Sequence, residues 1–340
     1  MKKENQVIYQ IFVRNYSKEG TLKKVEEDLE RIKELGVDVI YLMPIHEIGV
    51  LNRKGTYGSP YAIKDYFSIS PDLGNMDDFV SLVNKVHKLG MKIIIDMVFN
   101  HTAPDNVIIK THPEYYFYRN GKRGNRIGDW SDIFDLDTTR EDTQEYLVSV
   151  LSFWRNKGVD GFRFDVSSMI PFSFFKRART ALGNGPIFFG ECIDQEFAKY
   201  IQSINSPYMD DASSMECFDY LYNYNYIKDL INYLDGKGDL DLVLCKIKED
   251  DPRILRVNCL ENHDIDRFAS HFVDKEKMKE WVKFVYSLKG PAFMYMGQEY
   301  GIKHKPELFE KDPVIWKIDE ELFTFYKQMN EEKHQQNIKA

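Results

Sequence analysis

Residues 159–168, VDGFRFDVSS, read as a buried strand that carries two opposite charges. Side chains along a strand alternate between faces, so Phe162 and Phe164 point one way while Arg163 and Asp165 point the other, side by side. One face suits a core and the other is ionic. An ion pair buried for stability alone gains little, because desolvation roughly cancels the Coulomb attraction and a hydrophobic replacement often does as well. The stretch therefore predicts a core strand whose polar face serves a site.

The pattern around it is regular. Short apolar runs precede amphipathic ones: VIYQIFV before VEEDLERIKEL, VDVIYLM before MDDFVSLVNKVHKLG, and KIIIDMVF, a long loop, then DTQEYLVSVLSFWRNKG. GFRFDV precedes SFFKRARTALG, PIFFGEC precedes QEFAKYIQSI, and SSMECFDYL precedes NYIKDLINYLDG with LDLVLCKIKE. ILRVNCL before DKEKMKEWVKFVYSLKG, and AFMYMGQEY before DEELFTFYKQMNEE, complete the series. Repeated strand-then-helix units imply parallel strands with crossover helices. Eight of them in 340 residues predict an α/β fold of the (β/α)8 TIM barrel type, with an open doubly wound sheet as the alternative. Gly90 and Gly290 read as left-handed caps closing the second and seventh helices. The barrel is assigned to residues 1–98 and 135–340. The long connection, 99–134, reads as a small inserted subdomain rich in aromatics, with HPEYYFY and Trp130. The polar tail NEEKHQQNIKA reads as a frayed helix.

Composition narrows the function classes. With 43% hydrophobic and 14% aromatic residues the chain can bury a sizeable core. A net charge of −8 and the lack of a Lys/Arg run argue against a nucleic-acid or membrane partner and favour a neutral or cationic ligand. The N-terminus MKKENQVIYQIF lacks the apolar run of a signal peptide, and KIIIDMVF is too short to span a bilayer. Cys192, Cys217, Cys245 and Cys259 show no metal-like spacing and read as free thiols of a cytoplasmic protein, the alternative being one or two disulfides in a secreted one.

In a barrel of this kind the site lies at the C-terminal ends of the strands. Asp96 ends the third strand with Asn100 and His101 beyond it, Arg163 and Asp165 end the fourth, Glu191 ends the fifth, and Asn262, His263 and Asp264 follow the seventh. Each alone could be a cap or loop anchor; four strands together point to a site. Neither zinc-like spacing, nor a phosphate loop, nor a serine elbow is present. Carboxylates near aromatic residues and a neutral ligand point to glycosidic bond cleavage.

Four segments make this specific: DMVFNH (96–101), GFRFD (161–165), Glu191 in FFGEC, and ENHD (261–264). In this order and at strand ends, they resemble the signature segments of the α-amylase family of retaining glycoside hydrolases. SPYAIKDYFSISPDLG and FDLD (134–137) resemble that family's second-strand loop and the close of its insertion, so the likeness runs from about residue 7 to 301. The resemblance implies an α-glucan hydrolase acting on malto-oligosaccharides or starch-type glucans. Asp165 would be the nucleophile, Glu191 the general acid and then base, and Asp264 the stabiliser of the transition state. Tyr61 would stack on the sugar, His101 and His263 would bond its hydroxyls, Arg163 would hold Asp165 ionised, and Asp96 and Asn100 would support the site. Ser167, Ser168 and Met169 stand where many family members have Lys-His, which helps to bind calcium. No cofactor is expected to be required, with Asn100 and Asp132 the weak candidates for a calcium ion. The family's usual C-terminal β-sandwich domain is expected to be absent. The alternatives are a transglycosylase or isomerase of the same family, and a sugar-binding barrel without activity.

Overall fold

The computed structural model describes residues 2–127, 130–193, 195–204 and 206–336; the end of the polar tail and two residues of the long insertion lie outside them. Eight strands close into a barrel: β1 (Val7–Ile11), β2 (Val39–Leu42), β3 (Lys92–Met97), β4 (Gly161–Phe164), β5 (Ile187–Gly190), β6 (Tyr220–Tyr222), β7 (Arg256–Cys259) and β8 (Ala292–Tyr295). Each pairs in parallel with its sequence neighbours, and β8 pairs with β1. The (β/α)8 reading holds. The sixth strand is shorter than SSMECFDYL suggested: residues 211–214 form a short helix capped by Asp210, and only Tyr220–Tyr222 joins the barrel.

Alternation along the strands sorts two cores. Phe162 and Phe164 face outward into the layer beneath the helices, where Phe164 meets Phe174, Phe175 and Phe188 edge-on. A separate inner cluster fills the barrel, including Ile8, Val39, Tyr41, Ile94, Phe189 and Phe293. Gly161 and Gly290 are required by space. A Cβ at Gly161 would stand 2.2 Å from the Ile187 carbonyl oxygen, and one at Gly290, where φ is +106°, would stand 1.9 Å from that of Arg256.

Segment 99–134 leaves the barrel at His101–Thr102 and returns at Phe134–Asp135, and these two short strands pair antiparallel. Between them lie two single 3-10 turns and the hairpin of Tyr118–Arg119 with Lys122–Arg123. Among the described residues the four cysteines are free, three of them buried, and no helix is long and apolar enough to cross a membrane.

One buried group couples this core to pH. His46, just beyond β2, is 1% exposed, lies edge-on to Tyr66 and Trp154, and has no partner for either ring nitrogen among the described groups. Burial lowers its pKa to about 3. The unfolded imidazole titrates near 6.5, so the unfolded chain takes up this proton first as pH falls. The contribution is complete above about pH 6.5 and is lost toward pH 3, at roughly 1.4 kcal/mol per pH unit. His46→Leu should therefore flatten the fall in melting temperature between pH 6.5 and 4. Parallel curves for variant and parent would show that His46 is not the source.

Candidate active site

Arg163 organises the C-terminal end of the barrel. It is fully buried, and its Nη1 donates to both oxygens of Asp96 (2.9 and 3.0 Å) and to Asp165 Oδ1 (3.0 Å). Its Nη2 stands 2.8 Å from Glu191 Oε1, an ion pair not aligned as a hydrogen bond. One guanidinium thus joins carboxylates from three successive strands, β3, β4 and β5. The pairing register explains this: Arg163 lies opposite Asp96 on β3 and opposite Phe189 on β5, two residues before Glu191.

A single positive charge among three carboxylates corrects one expectation. Arg163 does not hold Asp165 at a low pKa. Burial first, and then the Glu191 charge, push the Asp165 carboxyl well above its ordinary range, and Arg163 only partly offsets them. Glu191 is raised as well, by burial first, with Arg163 pulling it down and Asp264 adding to the rise. The pair titrates as a unit and favours retaining a proton.

The second oxygen of Glu191 is held by backbone. Val166, directly after Asp165, has φ 36° and ψ 46°, a left-handed conformation that costs a β-branched residue of order 1–3 kcal/mol. That turn directs the Val166 N–H onto Glu191 Oε2 at 2.7 Å. The Ser167 hydroxyl donates to the Glu191 carbonyl at 2.8 Å, which fixes the main chain as well. Strain at Val166 is the local consequence of placing the Asp165 and Glu191 carboxyls together.

Across the cleft, the Gln10 amide donates to His263 Nδ1 (2.9 Å), so the imidazole hydrogen lies on Nε2. Nε2 faces the Tyr61 hydroxyl at 2.7 Å and Asp264 Oδ2 at 3.0 Å. Tyr61 also reaches Asp96 Oδ2 at 3.2 Å, and its ring lies parallel to that of His263, with centroids 5.4 Å apart. Asp264 stands at the cleft mouth with its side chain 53% exposed. Asn262 Oδ1 accepts from the Asp264 and Ile265 N–H groups and fixes the turn. Burial tends to raise the Asp264 pKa, but His263, Arg163 and Lys305 outweigh it and lower it to about 2. His101 lies against Trp130, with burial lowering its pKa to about 4, and takes the Asn100 amide at Nδ1 (3.2 Å).

The carboxylates separate two cavities. One, of about 300 Å³, is lined by Tyr61, His101, Trp130, Asp165 and His263. The other, of about 310 Å³, is lined by Tyr224, Ile227, Ile231 and Ile265. Glu191 and Asp264 line both, whereas Asp165 lines only the first. All the residues singled out from sequence therefore gather at one place: Asp165, Glu191, Asp264, Tyr61, His101 and His263 line the cleft, with Arg163, Asp96 and Asn100 beneath it. Glu261 of ENHD does not join them, since its carboxylate takes the Arg267 guanidinium (2.7 Å) and the Phe268 N–H (2.6 Å).

The candidate calcium ligands are otherwise engaged. Asn100 serves His101, and Asp132 is paired with Lys54 at 2.8 Å. Among the described residues no group of three or more His, Cys, Asp or Glu is placed to hold a metal. The donor set does not fit the many oxygen ligands that calcium takes. Sequence reasoning missed Gln10, Tyr41, Lys54, Val166 and Tyr224. Gln10 was visible as a polar residue in the apolar run VIYQIFV. Tyr41, whose hydroxyl donates to Asp96 Oδ2 at 2.5 Å, is indistinguishable in sequence from a core tyrosine.

A closed parallel barrel with carboxylates and histidines gathered at its strand ends defines a (β/α)8 barrel of the carboxylate-site type. The profile of the alpha amylase catalytic domain matches residues 6–209. The chain is 26% identical to Neopullulanase 2 of Thermoactinomyces vulgaris and 26% identical to an oligo-1,6-glucosidase of Parageobacillus thermoglucosidasius, over 93% and 87% of its length. It spans 56% and 65% of those relatives' own lengths. Its fold is similar to that of an alpha-amylase from Lactobacillus plantarum, with a TM-score of 0.92 and 34% identity over 97% of this chain and 80% of that one. A maltogenic alpha-amylase from Thermotoga neapolitana gives 0.88 and 30%, over 99% and 78%. The chain belongs to the alpha-amylase family.

Proposed function

We propose that this protein is a retaining α-glucan hydrolase cleaving α-glucosidic bonds of malto-oligosaccharides or starch-type glucans. The observation that carries the reading is Arg163 gathering Asp165 and Glu191 at the junction of two cavities. Asp165 reaches only the first cavity, so the sugar that it attacks sits there. Glu191 reaches both, as a group must that protonates the oxygen between two sugars. In the first step an Asp165 oxygen bonds to the anomeric carbon, the bond to the leaving oxygen breaks, and the Glu191 proton passes to that oxygen. In the second, Glu191 takes a proton from water, the water oxygen bonds to the anomeric carbon, and the Asp165 ester breaks. Asp264, ionised at the mouth, stabilises positive charge on the ring, and Tyr61, His101 and His263 contact its face and hydroxyls.

Transfer to a second sugar shares the first step. Ile227, Ile231 and Ile265 give the leaving-group cavity apolar walls that suit a sugar ring better than water, and this favours transfer as the competing outcome. Anomeric NMR of maltoheptaose turnover tests the reading. Products with the α-configuration, hydrolytic or transferred, are expected; β-configured first products, or no turnover of any α-glucan, would refute it. The four free thiols support a cytoplasmic setting.

No metal enters this scheme. EDTA should leave both melting temperature and turnover unchanged. A drop in melting temperature reversed by added calcium would show a site that the side-chain placement of Asn100 and Asp132 does not suggest.

A further inference from the structure

Trp130, which lines the nucleophile's cavity and lies against His101, begins a row of rings that leaves the site. Its centroid is 6.5 Å from that of Phe197, and Phe197 is 6.1 Å from Tyr200, with the last two rings within 21° of parallel. Phe197 and Tyr200 are three residues apart on the helix Gln195–Ser203 after β5, and so share a face. That helix anchors itself with Ala198 and Ile201, which are 6% and 0% exposed. Phe197 is half-buried, and Tyr200 is 43% exposed. The other exposed tyrosine among the described residues, Tyr118, is engaged differently, with its hydroxyl on the Pro113 carbonyl and Arg123 over its ring.

We propose that Trp130, Phe197 and Tyr200 form an aromatic rail that binds glucosyl units of the substrate beyond those in the two cavities, so that longer α-glucans bind more tightly than short ones. The inference rests on the function proposed above and adds a binding surface to it. Its occupant follows from continuity and chemistry. The row starts inside the catalytic cavity, so the chain that enters there is the one that meets the outer rings. A sugar ring offers a face of C–H bonds to the electron-rich face of an aromatic ring, and its hydroxyls stay in water along the exposed edge of the strip. A neutral ligand also suits a chain of net charge −8.

The test compares maltotriose with maltoheptaose for the parent protein, Phe197→Ala, Tyr200→Ala and Tyr200→Phe. Each alanine variant is expected to raise KM for maltoheptaose about 2- to 12-fold, equivalent to ~0.5–1.5 kcal/mol per aromatic contact, with kcat and both maltotriose constants unchanged. Tyr200→Phe keeps the ring and should behave as the parent. Melting temperatures within a degree or two of the parent's, on the scale of ordinary surface changes of about 0.5 kcal/mol, show that the helix is intact. Equal effects on the two substrates, or none on maltoheptaose, would overturn the rail while leaving the hydrolase standing. If no α-glucan is turned over, the proposed activity fails, and calorimetry of maltoheptaose and maltotriose binding decides the rail on its own. A chain-length preference that Tyr200→Ala abolishes supports it; equal affinities in parent and variant reject it.

Discussion

Glu191→Gln is expected to lose about 10²- to 10⁴-fold in kcat/KM on maltoheptaose, the usual worth of a positioned general acid, while still binding the sugar. The substitution is close in shape but not in bonding. Glu191 accepts the Val166 N–H at Oε2 and faces the Arg163 cation at Oε1 in an ion pair. A carboxyl oxygen suits both positions, whereas an amide sets its NH2 against either the Val166 N–H or the guanidinium whichever way it is flipped. A second signature follows from the charge. Glu191 is the largest electrostatic cause of the raised Asp165 pKa after burial, so in the variant Asp165 ionises at lower pH. With an α-glucosyl fluoride, whose leaving group needs no proton, glycosylation should be far less impaired than with maltoheptaose, and its acid limb should move to lower pH. Equal losses on both donors, with the acid limb unmoved, would remove Glu191 from the acid's role.

The alternation in VDGFRFDVSS was enough to place Phe162 and Phe164 in the outer core and Arg163 and Asp165 toward the site, because period two is a local property of the backbone. The strand ends were legible for the same reason, and so the carboxylates of β3, β4 and β5 could be assigned to one site from the residue pattern alone. What could not be read is what depends on neighbours across the barrel. That Arg163 is shared among three carboxylates, and so only partly offsets the rise in the Asp165 pKa, requires knowing that Asp96 lies opposite it and that Glu191 reaches its other nitrogen. Val166 is hidden more deeply, since valine is a residue that sequence rules keep out of left-handed backbone. Ile227 and Ile231 read as the apolar stripe of an ordinary helix, yet they wall a cavity beside Glu191. The brevity of β6 was missed because SSMECFDYL contains enough apolar residues for a strand. Asp210 caps a short helix there instead, and the Asp219 carboxylate, holding the Arg179 guanidinium and the Phe188 N–H, anchors the chain just before the strand begins.

Arg163→Met is expected to destabilise the fold by about 3–5 kcal/mol near neutral pH and to abolish most turnover. Methionine fills the space between the Tyr61 and Tyr222 rings, which lie 6.0 and 5.8 Å from the guanidinium carbon, so lost packing is a minor part of the effect. The major part is electrostatic. Asp96, Asp165 and Glu191 would remain within one buried cluster with no cation among them, and Asp165 and Glu191 already sit above their ordinary pKa values with Arg163 in place. Removing its stabilising field raises both further. An acid whose folded pKa exceeds its unfolded value of about 4 binds more protons folded than unfolded, so its penalty is absent below that pH and grows as pH rises toward the folded pKa. The melting temperature of Arg163→Met should therefore approach the parent's near pH 4 to 5 and fall away from it toward pH 8. Turnover should vanish over the range in which Asp165 now stays protonated, since a carboxylic acid is a poor nucleophile. Adding Asp96→Asn to the variant removes one of the crowded charges and should restore part of the stability at pH 8, a coupling that a double-mutant cycle measures directly. A stability loss that is the same at pH 5 and pH 8, with no coupling to Asp96, would mean that Arg163 acts through packing and that the shared guanidinium does not govern the charge of the pair.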